Sequence, residues 1–164
     1  MENIVLIGIM GSGKTTISKL LAHRLNRPVI DMDDYLEDKY SMTINEMFDI
    51  SEDYFREKET ECCEDVSHLD NYIVSTGGGI IKKQKNVDLL KKNGIIIYID
   101  RPIDNIMTDV ETEDRPLLKD GPEKLYALFD ERNQLYLDAC DYHLMNDGTL
   151  DEFVDKIIEI VCKQ

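Results

Sequence analysis

Short apolar runs alternate with longer amphipathic stretches along the 164 residues of this chain. The runs predict β-strands, because they are brief and rich in β-branched and aromatic residues. The fourth run, residues 95–100, is apolar almost without interruption, which is typical of a strand buried on both faces of a parallel sheet. The predicted strands cover residues 4–7, 29–31, 72–75, 95–100 and 141–145.

Helical periodicity fills the stretches between the strands. One face of the first predicted helix carries the apolar residues Ile17, Leu20, Leu21 and Leu25. Capping boxes that begin at Thr43 and Thr149 mark two further helix starts. Other helices are predicted from Arg101 and over residues 35–40, about 52–69, about 84–92 and about 123–139. The alternation predicts a three-layer α/β/α fold, with a parallel sheet between helices, over a single domain of residues 1–164.

Composition narrows the class of protein. Hydrophobic residues make up 42% of the chain and charged residues 32%, as is usual for a globular protein. The net charge of −15 argues against a nucleic-acid partner, because phosphate neutralisation requires clustered Lys and Arg. No apolar run approaches the ~20 residues of a membrane span, and the N-terminal stretch lacks the basic segment of a signal peptide. We therefore expect a cytoplasmic monomer that acts on small molecules, without membrane or nucleic-acid partners.

The segment 8–15 reads Gly-Ile-Met-Gly-Ser-Gly-Lys-Thr and fits the phosphate-binding pattern G-x-x-x-x-G-K-[ST] at every specified position. It lies between a predicted strand and a predicted helix, which is the context that the motif requires. Glycines let backbone N–H groups approach phosphate oxygens, and the helix directs its positive end toward the same anion. Lys14 would reach the β- and γ-phosphates, and the Thr15 hydroxyl would ligate Mg²⁺. The candidate nucleotide-binding residues are Gly11, Ser12, Gly13, Lys14, Thr15 and Thr16.

Two aspartates follow the second predicted strand. In an extended backbone, Asp31 and Asp33 project to one side while Met32 faces the other. The two carboxylates repel each other unless a positive group lies between them, so a metal ion or substrate hydroxyls near the phosphate loop would account for the pair. The alternative is that Asp33 or Asp34 only caps the helix that follows.

Arg56 and Glu59 share a face of a predicted helix, where the carboxylate can orient the guanidinium. On the surface this pair would contribute at most ~1 kcal/mol, whereas in a cleft the oriented arginine would bind a substrate carboxylate. Gly77, Gly78 and Gly79 follow the third strand directly. Because open α/β sheets bind ligands at the carboxyl ends of their strands, these glycines favour close approach of a ligand to the backbone. A flexible turn is the alternative.

Residues 108–122 show no sustained periodicity, carry many charges and contain an Arg115-Pro116 step. Loops of this length within a compact domain are often lids. We therefore expect a mobile loop that closes over the site, with Leu117 and Leu118 as its apolar anchor.

Together these residues resemble the shikimate kinase family over nearly the whole chain. The matching motifs are the phosphate loop at 8–15, Asp31-x-Asp33, Phe55-Arg56-x-x-Glu59, Gly77-Gly78-Gly79, Arg115-Pro116-Leu117-Leu118 and Arg132-x-x-Leu135-Tyr136. The phosphate loop alone is common to many nucleotide-binding proteins, but the combination is far more specific. The resemblance implies a nucleoside-monophosphate-kinase-like fold with a five-stranded parallel sheet in the order 2-3-1-4-5, substrate-binding helices at about 33–70 and a lid at about 108–122.

The resemblance also implies an activity and residue roles. The activity is transfer of the ATP γ-phosphoryl group to the 3-hydroxyl of shikimate, in aromatic amino acid biosynthesis. Asp31 would help Thr15 to hold Mg²⁺, and Asp33 would bind the accepting hydroxyl and take its proton, with Lys14 and Arg115 as the other catalytic residues. Arg115 would also contact ATP. The shikimate-binding residues would be Asp33, Arg56, Gly77, Gly78, Gly79 and Arg132, with Glu59 orienting Arg56.

The chain departs from the family pattern at three positions. Thr108 stands where many members carry an arginine that stacks on adenine, Gln134 replaces the usual proline and Ser51 replaces a common glycine. Two alternatives follow from the residues. One is a related kinase that phosphorylates gluconate or a nucleotide, and the other is a nucleotide-binding regulatory module without turnover.

Overall fold

A computed structural model describes residues 1–112 and 122–163, with no description of the side chains at 109–112 and 122. Five strands form one sheet, and every neighbouring pair is parallel. Their order is β2-β3-β1-β4-β5, which confirms the 2-3-1-4-5 order implied by the resemblance. The strands are β1 (Asn3–Ile7), β2 (Val29–Asp31), β3 (Ile73–Ser75), β4 (Gly94–Asp100) and β5 (Tyr142–Met145).

Eight helices are described around this sheet, together with a 3₁₀ helix at Ile80–Lys82. The first, α1, follows the phosphate loop directly, and α2 to α4 lie between β2 and β3 in sequence. The helices are α1 (Lys14–Leu25), α2 (Met32–Tyr40), α3 (Ile44–Ile50), α4 (Glu52–Ser67), α5 (Gln84–Lys91), α6 (Ile103–Thr112), α7 (Pro122–Ala139) and α8 (Leu150–Cys162).

Hydrophobic packing on both faces of the sheet fixes the three layers. Along β1, Val5 and Ile7 pack into one cluster, whereas Ile4 and Leu6 pack into the other. Strand β4 alternates in the same way, because successive side chains of a strand point to opposite faces. The second cluster also contains Ile17 and Leu21 of α1 and Phe153, Val154 and Ile157 of α8. The prediction that the fourth run is buried on both faces is thereby confirmed.

The structure corrects two predicted boundaries. Helix α6 continues to Thr112, so residues 108–112 are helical and the predicted loop over 108–122 begins too early. Helix α2 begins at Met32 rather than Tyr35, because the Asp31 side chain caps it. Residues 113–121, which include the rest of the predicted lid, lie outside the described residues.

The parallel sheet brings all five strand ends to one edge. The phosphate loop follows β1, Asp31 ends β2, Thr76 and the glycines follow β3, Arg101 follows β4 and Asn146 follows β5. Backbone hydrogen bonds connect these ends, since Thr76 N donates to Leu6 O at 3.3 Å and Asn146 N donates to Asp100 O at 2.7 Å. Candidate chemistry from distant parts of the sequence is therefore collected at the carboxyl edge of the sheet.

No helix within residues 1–112 and 122–163 is both long and apolar enough to cross a membrane.

The capping box at the start of α3 offers a test of local stability. Thr43 Oγ1 accepts a hydrogen bond from Glu46 N at 3.1 Å, and Glu46 Oε1 accepts one from Thr43 N at 3.3 Å. Replacing Thr43 with Ala should lower the free energy of unfolding by about 1 kcal/mol, because the amide of Glu46 loses its partner. Thr43→Ser, which keeps the hydroxyl, is the control in urea denaturation. Equal stability of the two variants would contradict the assignment.

Candidate active site

A cavity of about 530 Å³ opens at the carboxyl edge of the sheet. The predicted residues that line it come from the phosphate loop, the start of α2 and the glycine turn after β3. They are Gly11, Gly13, Lys14, Thr15, Thr16, Asp31, Asp33, Gly77 and Gly78. Most of the predicted nucleotide-binding residues thus share one concave surface with Asp33, Gly77 and Gly78, whereas Arg56, Gly79 and Arg132 do not line it.

The phosphate loop has the backbone that its glycines permit. Gly8, Gly11 and Gly13 have positive φ angles of 155°, 80° and 105°. Lys14 is buried, and its ammonium donates to the carbonyl oxygens of Gly8 at 2.6 Å and Ile9 at 3.0 Å. These bonds hold the lysine against the loop from which it would reach bound phosphates.

Burial lowers the pKa of Lys14 from its ordinary value to about 8, although the carboxylates of Asp33 and Asp31 oppose this change. The charge of Arg132 lowers the pKa further. Lys14 is therefore a cation that has lost hydration, and an anionic ligand would stabilise its charged form.

The aspartate pair has a different geometry from the predicted one. Asp31 ends β2 and caps α2, since its Oδ1 accepts hydrogen bonds from the amides of Asp33 at 3.0 Å and Asp34 at 3.2 Å. Asp33 lies in the first turn of α2 and not in extended backbone. The prediction that both lie on one side of a strand is wrong, as is the alternative that Asp33 or Asp34 forms the cap. Both aspartates nevertheless line the cavity, because the helix begins at its wall.

The position of Asp33 at the cavity wall raises its pKa. Asp33 is exposed to the cavity, but its carboxylate lies against the backbone of Gly77 and is therefore only partly hydrated. This loss of hydration and the Asp31 carboxylate raise the pKa of Asp33, although Lys14 opposes the change. A carboxylate with a raised pKa is a stronger base toward a hydroxyl proton than an ordinary aspartate.

Arg56 and Glu59 form the pair that their spacing predicts, and the structure shows that the pair is buried. Arg56 Nη1 donates to Glu59 Oε1 at 3.0 Å, and the two residues are 9% and 2% exposed. Burial raises the pKa of Glu59, although the neighbouring Arg56 opposes this shift. The guanidinium of Arg56 packs on the ring of Phe55, with Cζ 5.0 Å from the ring centroid. Phe48 of α3 stacks on Phe55, and their ring centroids are 4.4 Å apart. Phe48 was not singled out from the sequence, because its contact with Phe55 depends on how α3 packs on α4.

Each glycine of the turn after β3 faces a different charged side chain. A Cβ atom on Gly77 would lie 3.1 Å from Asp33 Oδ1, and one on Gly78 would lie 3.2 Å from Arg132 Nη1. One on Gly79 would lie 2.5 Å from Nη1 and 2.6 Å from Nη2 of Arg56. The turn is therefore a contact surface for three charged side chains, and the alternative of a merely flexible turn does not account for these contacts.

Arg132 and Tyr136 of α7 complete this surface. The Tyr136 hydroxyl donates to Gly78 O at 2.5 Å, and its ring packs against Tyr98 with the centroids 4.9 Å apart. Within the described part of the chain, the Nε atom of Arg132 is buried and has no hydrogen-bond partner, whereas the buried Nε atom of Arg56 lies 3.5 Å from Oε1 of Glu52. Two buried guanidinium groups that face one turn indicate a binding site for an anion, because a guanidinium forms charge-assisted hydrogen bonds with carboxylate and phosphate.

Several residues at the other end of the cavity were not predicted from the sequence. Arg101 Nη1 donates to Gly11 O at 3.0 Å, and Asn146 Nδ2 donates to Ser12 O at 3.0 Å, so both brace the phosphate loop. Leu150, the first residue of α8, is 41% exposed and lines the cavity. The position of Arg101 and Asn146 directly after predicted strands was the only available signal.

Four predicted residues, Ser12, Arg115, Thr15 and Asp31, require separate comment. Ser12 is fully buried and does not line the cavity, and its amide donates to Ile9 O at 3.1 Å. Arg115 lies outside the described residues. Among the residues that the structure describes, no group of three or more His, Cys, Asp or Glu residues could hold a metal ion by itself. A cation at Thr15 and Asp31 would therefore take its remaining ligands from phosphate and water, as Mg²⁺ commonly does.

A phosphate loop between β1 and α1, a five-stranded parallel sheet in this order and a cavity with Asp33 opposite Lys14 define the class of P-loop kinases. Comparison with known proteins gives the particular family. A family model described as shikimate kinase matches residues 10–162. The shikimate kinase of Clostridium botulinum (strain Alaska E43 / Type E3) is 46% identical over 162 residues, which cover 98% of each chain. The chain belongs to the shikimate kinase family.

Solved structures agree with this assignment. Shikimate kinase from Acinetobacter baumannii, in complex with shikimate, matches with a TM-score of 0.89 and 32% identity, over 99% of this chain and 94% of that one. Shikimate kinase from Aquifex aeolicus matches with a TM-score of 0.82 and 32% identity, over 97% and 95% of the two chains. The fold and family implied by the sequence motifs are thereby confirmed.

The lowered pKa of Lys14 predicts how nucleotide affinity depends on pH. In the free protein Lys14 loses its charge as the pH rises through about 8. A bound phosphate raises the pKa of Lys14, so binding takes up a proton, and affinity should fall by up to about tenfold per pH unit above this value. Calorimetric titration with ADP in the absence of Mg²⁺, at several pH values on either side of this pKa, measures the effect.

The control is Lys14→Met, which removes the titrating group and keeps the length of the side chain. This variant should bind ADP weakly and with little dependence on pH over the same range. A constant affinity of the wild-type protein across the range would contradict the role of Lys14.

Proposed function

We propose that this chain transfers the γ-phosphoryl group of ATP to the 3-hydroxyl of shikimate. The observation that supports this proposal best is that Asp33 lies between the phosphate loop and the glycine turn at residues 77–79, which form the two halves of one site. On one side Asp33 lines the same cavity as Lys14, and on the other it contacts Gly77, the first residue of the turn that faces both arginines. An acceptor with a hydroxyl and a carboxylate fits this arrangement.

In this proposal the two arginines bind the carboxylate of shikimate. A guanidinium forms two parallel hydrogen bonds with a carboxylate, and the Nη atoms of Arg56 and Arg132 lie against the glycine turn where the carboxylate would bind. Glu59 would orient the Arg56 guanidinium, because Glu59 Oε1 accepts a hydrogen bond from Arg56 Nη1 at 3.0 Å. Backbone atoms of Gly78 and Gly79 would contact the ring of the substrate.

Asp33 would accept a hydrogen bond from the 3-hydroxyl and take its proton during transfer. Its raised pKa supports this role, because the base and the hydroxyl are then better matched. Lys14 and the amides of Gly11, Gly13, Thr15 and Thr16 would bind the phosphates, and the buried Ser12 would shape the loop from within. Catalysis would then consist of positioning the reactants and stabilising phosphoryl charge.

Mg²⁺ would be held by the hydroxyl of Thr15 and by Asp31, and when bound it would neutralise charge on the phosphate oxygens. Asp31 fits this role because the described hydrogen bonds to its side chain, from the amides of Asp33 and Asp34, use only Oδ1. The proposed contact of Arg115 with the transferring phosphoryl group rests on the family resemblance alone.

We also propose that the protein acts in the cytoplasm as a monomer, with ATP and shikimate as its small-molecule partners. Its cysteines support the first point, since Cys62, Cys63, Cys140 and Cys162 are all free thiols. Reduced thiols are typical of cytoplasmic proteins.

ADP production by the purified protein tests the activity directly. The assay contains MgATP with shikimate, gluconate or a nucleoside monophosphate as the acceptor. We expect turnover that depends on shikimate and is absent with the other two. Turnover with gluconate or a nucleotide instead would favour a related kinase, and no turnover with any acceptor would favour the regulatory module.

Asp33→Asn should reduce kcat by about 10²-fold or more, because the amide cannot accept the proton. As the pH is lowered, the wild-type rate should begin to fall at a higher pH than it would for a base with the pKa of an ordinary aspartate. The reason is that the pKa of Asp33 is raised. The variant should unfold at a temperature no lower than that of the wild type, because it removes a charge that its neighbours disfavour. Asp34→Asn, one residue further along α2, is the control. A kcat within a few-fold of wild type would rule out Asp33 as the base.

Arg56→Lys should weaken shikimate binding by about 10- to 100-fold, because lysine keeps the charge beside Glu59 but loses the two-pronged geometry. ATP affinity should remain within about twofold, since Arg56 does not line the nucleotide cavity. Lys58→Arg on the same helix, where Lys58 pairs with Glu61 at 3.5 Å, is the matched control. Equal losses of affinity for both substrates would argue against a specific contact with shikimate.

A further inference from the structure

Asn86 is a fully buried polar side chain that the proposed mechanism does not use. It lies in the first turn of α5, away from the cavity, where a buried amide is costly unless its polar atoms have partners. Both atoms are paired. Asn86 Nδ2 donates to Ile80 O at 3.0 Å, and Oδ1 accepts from the Thr60 hydroxyl at 2.7 Å.

These two partners belong to the two elements that form the arginine site. Thr60 follows Glu59 on α4, and its hydroxyl oxygen also lies 3.0 Å from the carbonyl oxygen of Arg56. Ile80 follows Gly79 and begins the 3₁₀ helix. The Asn86 amide therefore connects the helix that carries the guanidinium to the turn that the guanidinium contacts.

The separation of these two elements has little tolerance. The guanidinium nitrogens of Arg56 occupy space within 2.6 Å of where a Cβ on Gly79 would lie. A small outward shift of the turn would open this contact, and an inward shift would push the guanidinium aside. Such shifts matter because a misplacement of about 1 Å can cost about 10²-fold in rate.

A second connection between the same elements is exposed to solvent. Lys82 of the 3₁₀ helix pairs with Glu52 of α4 at 3.2 Å, and the Glu52 side chain is 55% exposed. Exposed ion pairs contribute little, whereas a buried network with every polar atom paired can fix one arrangement. The buried connection through Asn86 is therefore the one expected to control the spacing.

We propose that Asn86, through Thr60 and Ile80, is a positioning residue that holds the Arg56 guanidinium against Gly79 for binding of the substrate carboxylate. This inference rests on the proposed function of Arg56. It predicts that loss of the network raises KM and Kd for shikimate by about 10-fold while KM for ATP stays within about twofold.

The decisive variant is Thr60→Val, which keeps the shape of the side chain and removes only the hydroxyl donor. Thr60→Ser restores that donor and should recover the wild-type KM for shikimate. Asn86→Ala removes both hydrogen bonds and should have the larger effect. If Asn86→Ala does not fold, Thr60→Val against Thr60→Ser decides the question.

Two controls separate positioning from stability. Asn3 on β1 is an equally paired buried amide, which donates to Leu69 O and accepts from Tyr72 N, both at 2.9 Å, at the opposite edge of the sheet. Asn3→Ala should lower stability and leave KM for shikimate unchanged. Lys82→Ala removes the exposed connection and should change KM for shikimate less than about twofold.

The measurements are KM for shikimate and for MgATP from ADP production, Kd for shikimate by calorimetry, and urea denaturation of every variant. A wild-type KM for shikimate in Thr60→Val, or equal changes in the KM values of both substrates, would overturn the inference while the proposed function stands. Absence of shikimate-dependent turnover in the wild-type protein would overturn both.

Discussion

The site depends on the close packing of three charged side chains against the glycine turn at residues 77–79. Asp33, Arg132 and Arg56 approach Gly77, Gly78 and Gly79 so closely that a Cβ atom at any of the three would make a tight contact or a clash. Three elements that are distant in sequence, α2, α4 and α7, therefore meet at one turn. The proposed acceptor site depends on β3 ending where these helices converge.

Electrostatic balance makes this convergence possible. The protein carries a net charge of −15, yet the site gathers Lys14, Arg56 and Arg132. Each buried cation has acidic neighbours, and within the described residues the buried Nε atom of Arg132 still has no hydrogen-bond partner. A site of this kind favours anionic ligands by completing hydrogen bonds that the protein leaves open. The opposite shifts of Lys14 and Asp33, a lowered and a raised pKa, have the same main cause, which is lost hydration at the cavity wall.

Hydrogen bonds to backbone atoms support the groups that we propose to bind ligand. Arg101 and Asn146 hold carbonyl oxygens of the phosphate loop, and Tyr136 holds the carbonyl of Gly78. Each support comes from a position near the end of β4 or β5 or from α7. Both halves of the site are thus preorganised by hydrogen bonds to backbone atoms, which limits the ordering that binding requires.

Local periodicity and short spacing along the chain were enough to define the strands, the phosphate loop and the pairing of Arg56 with Glu59. The order of the motifs was also enough to indicate the family. Three features required the packed fold: Asp31 caps α2, Leu150 lines a cavity, and each glycine of the turn faces its own charged side chain. These features depend on where separate elements pack, and the core on both faces of the sheet sets the distances between those elements. Spacing along the chain contains no information about such distances.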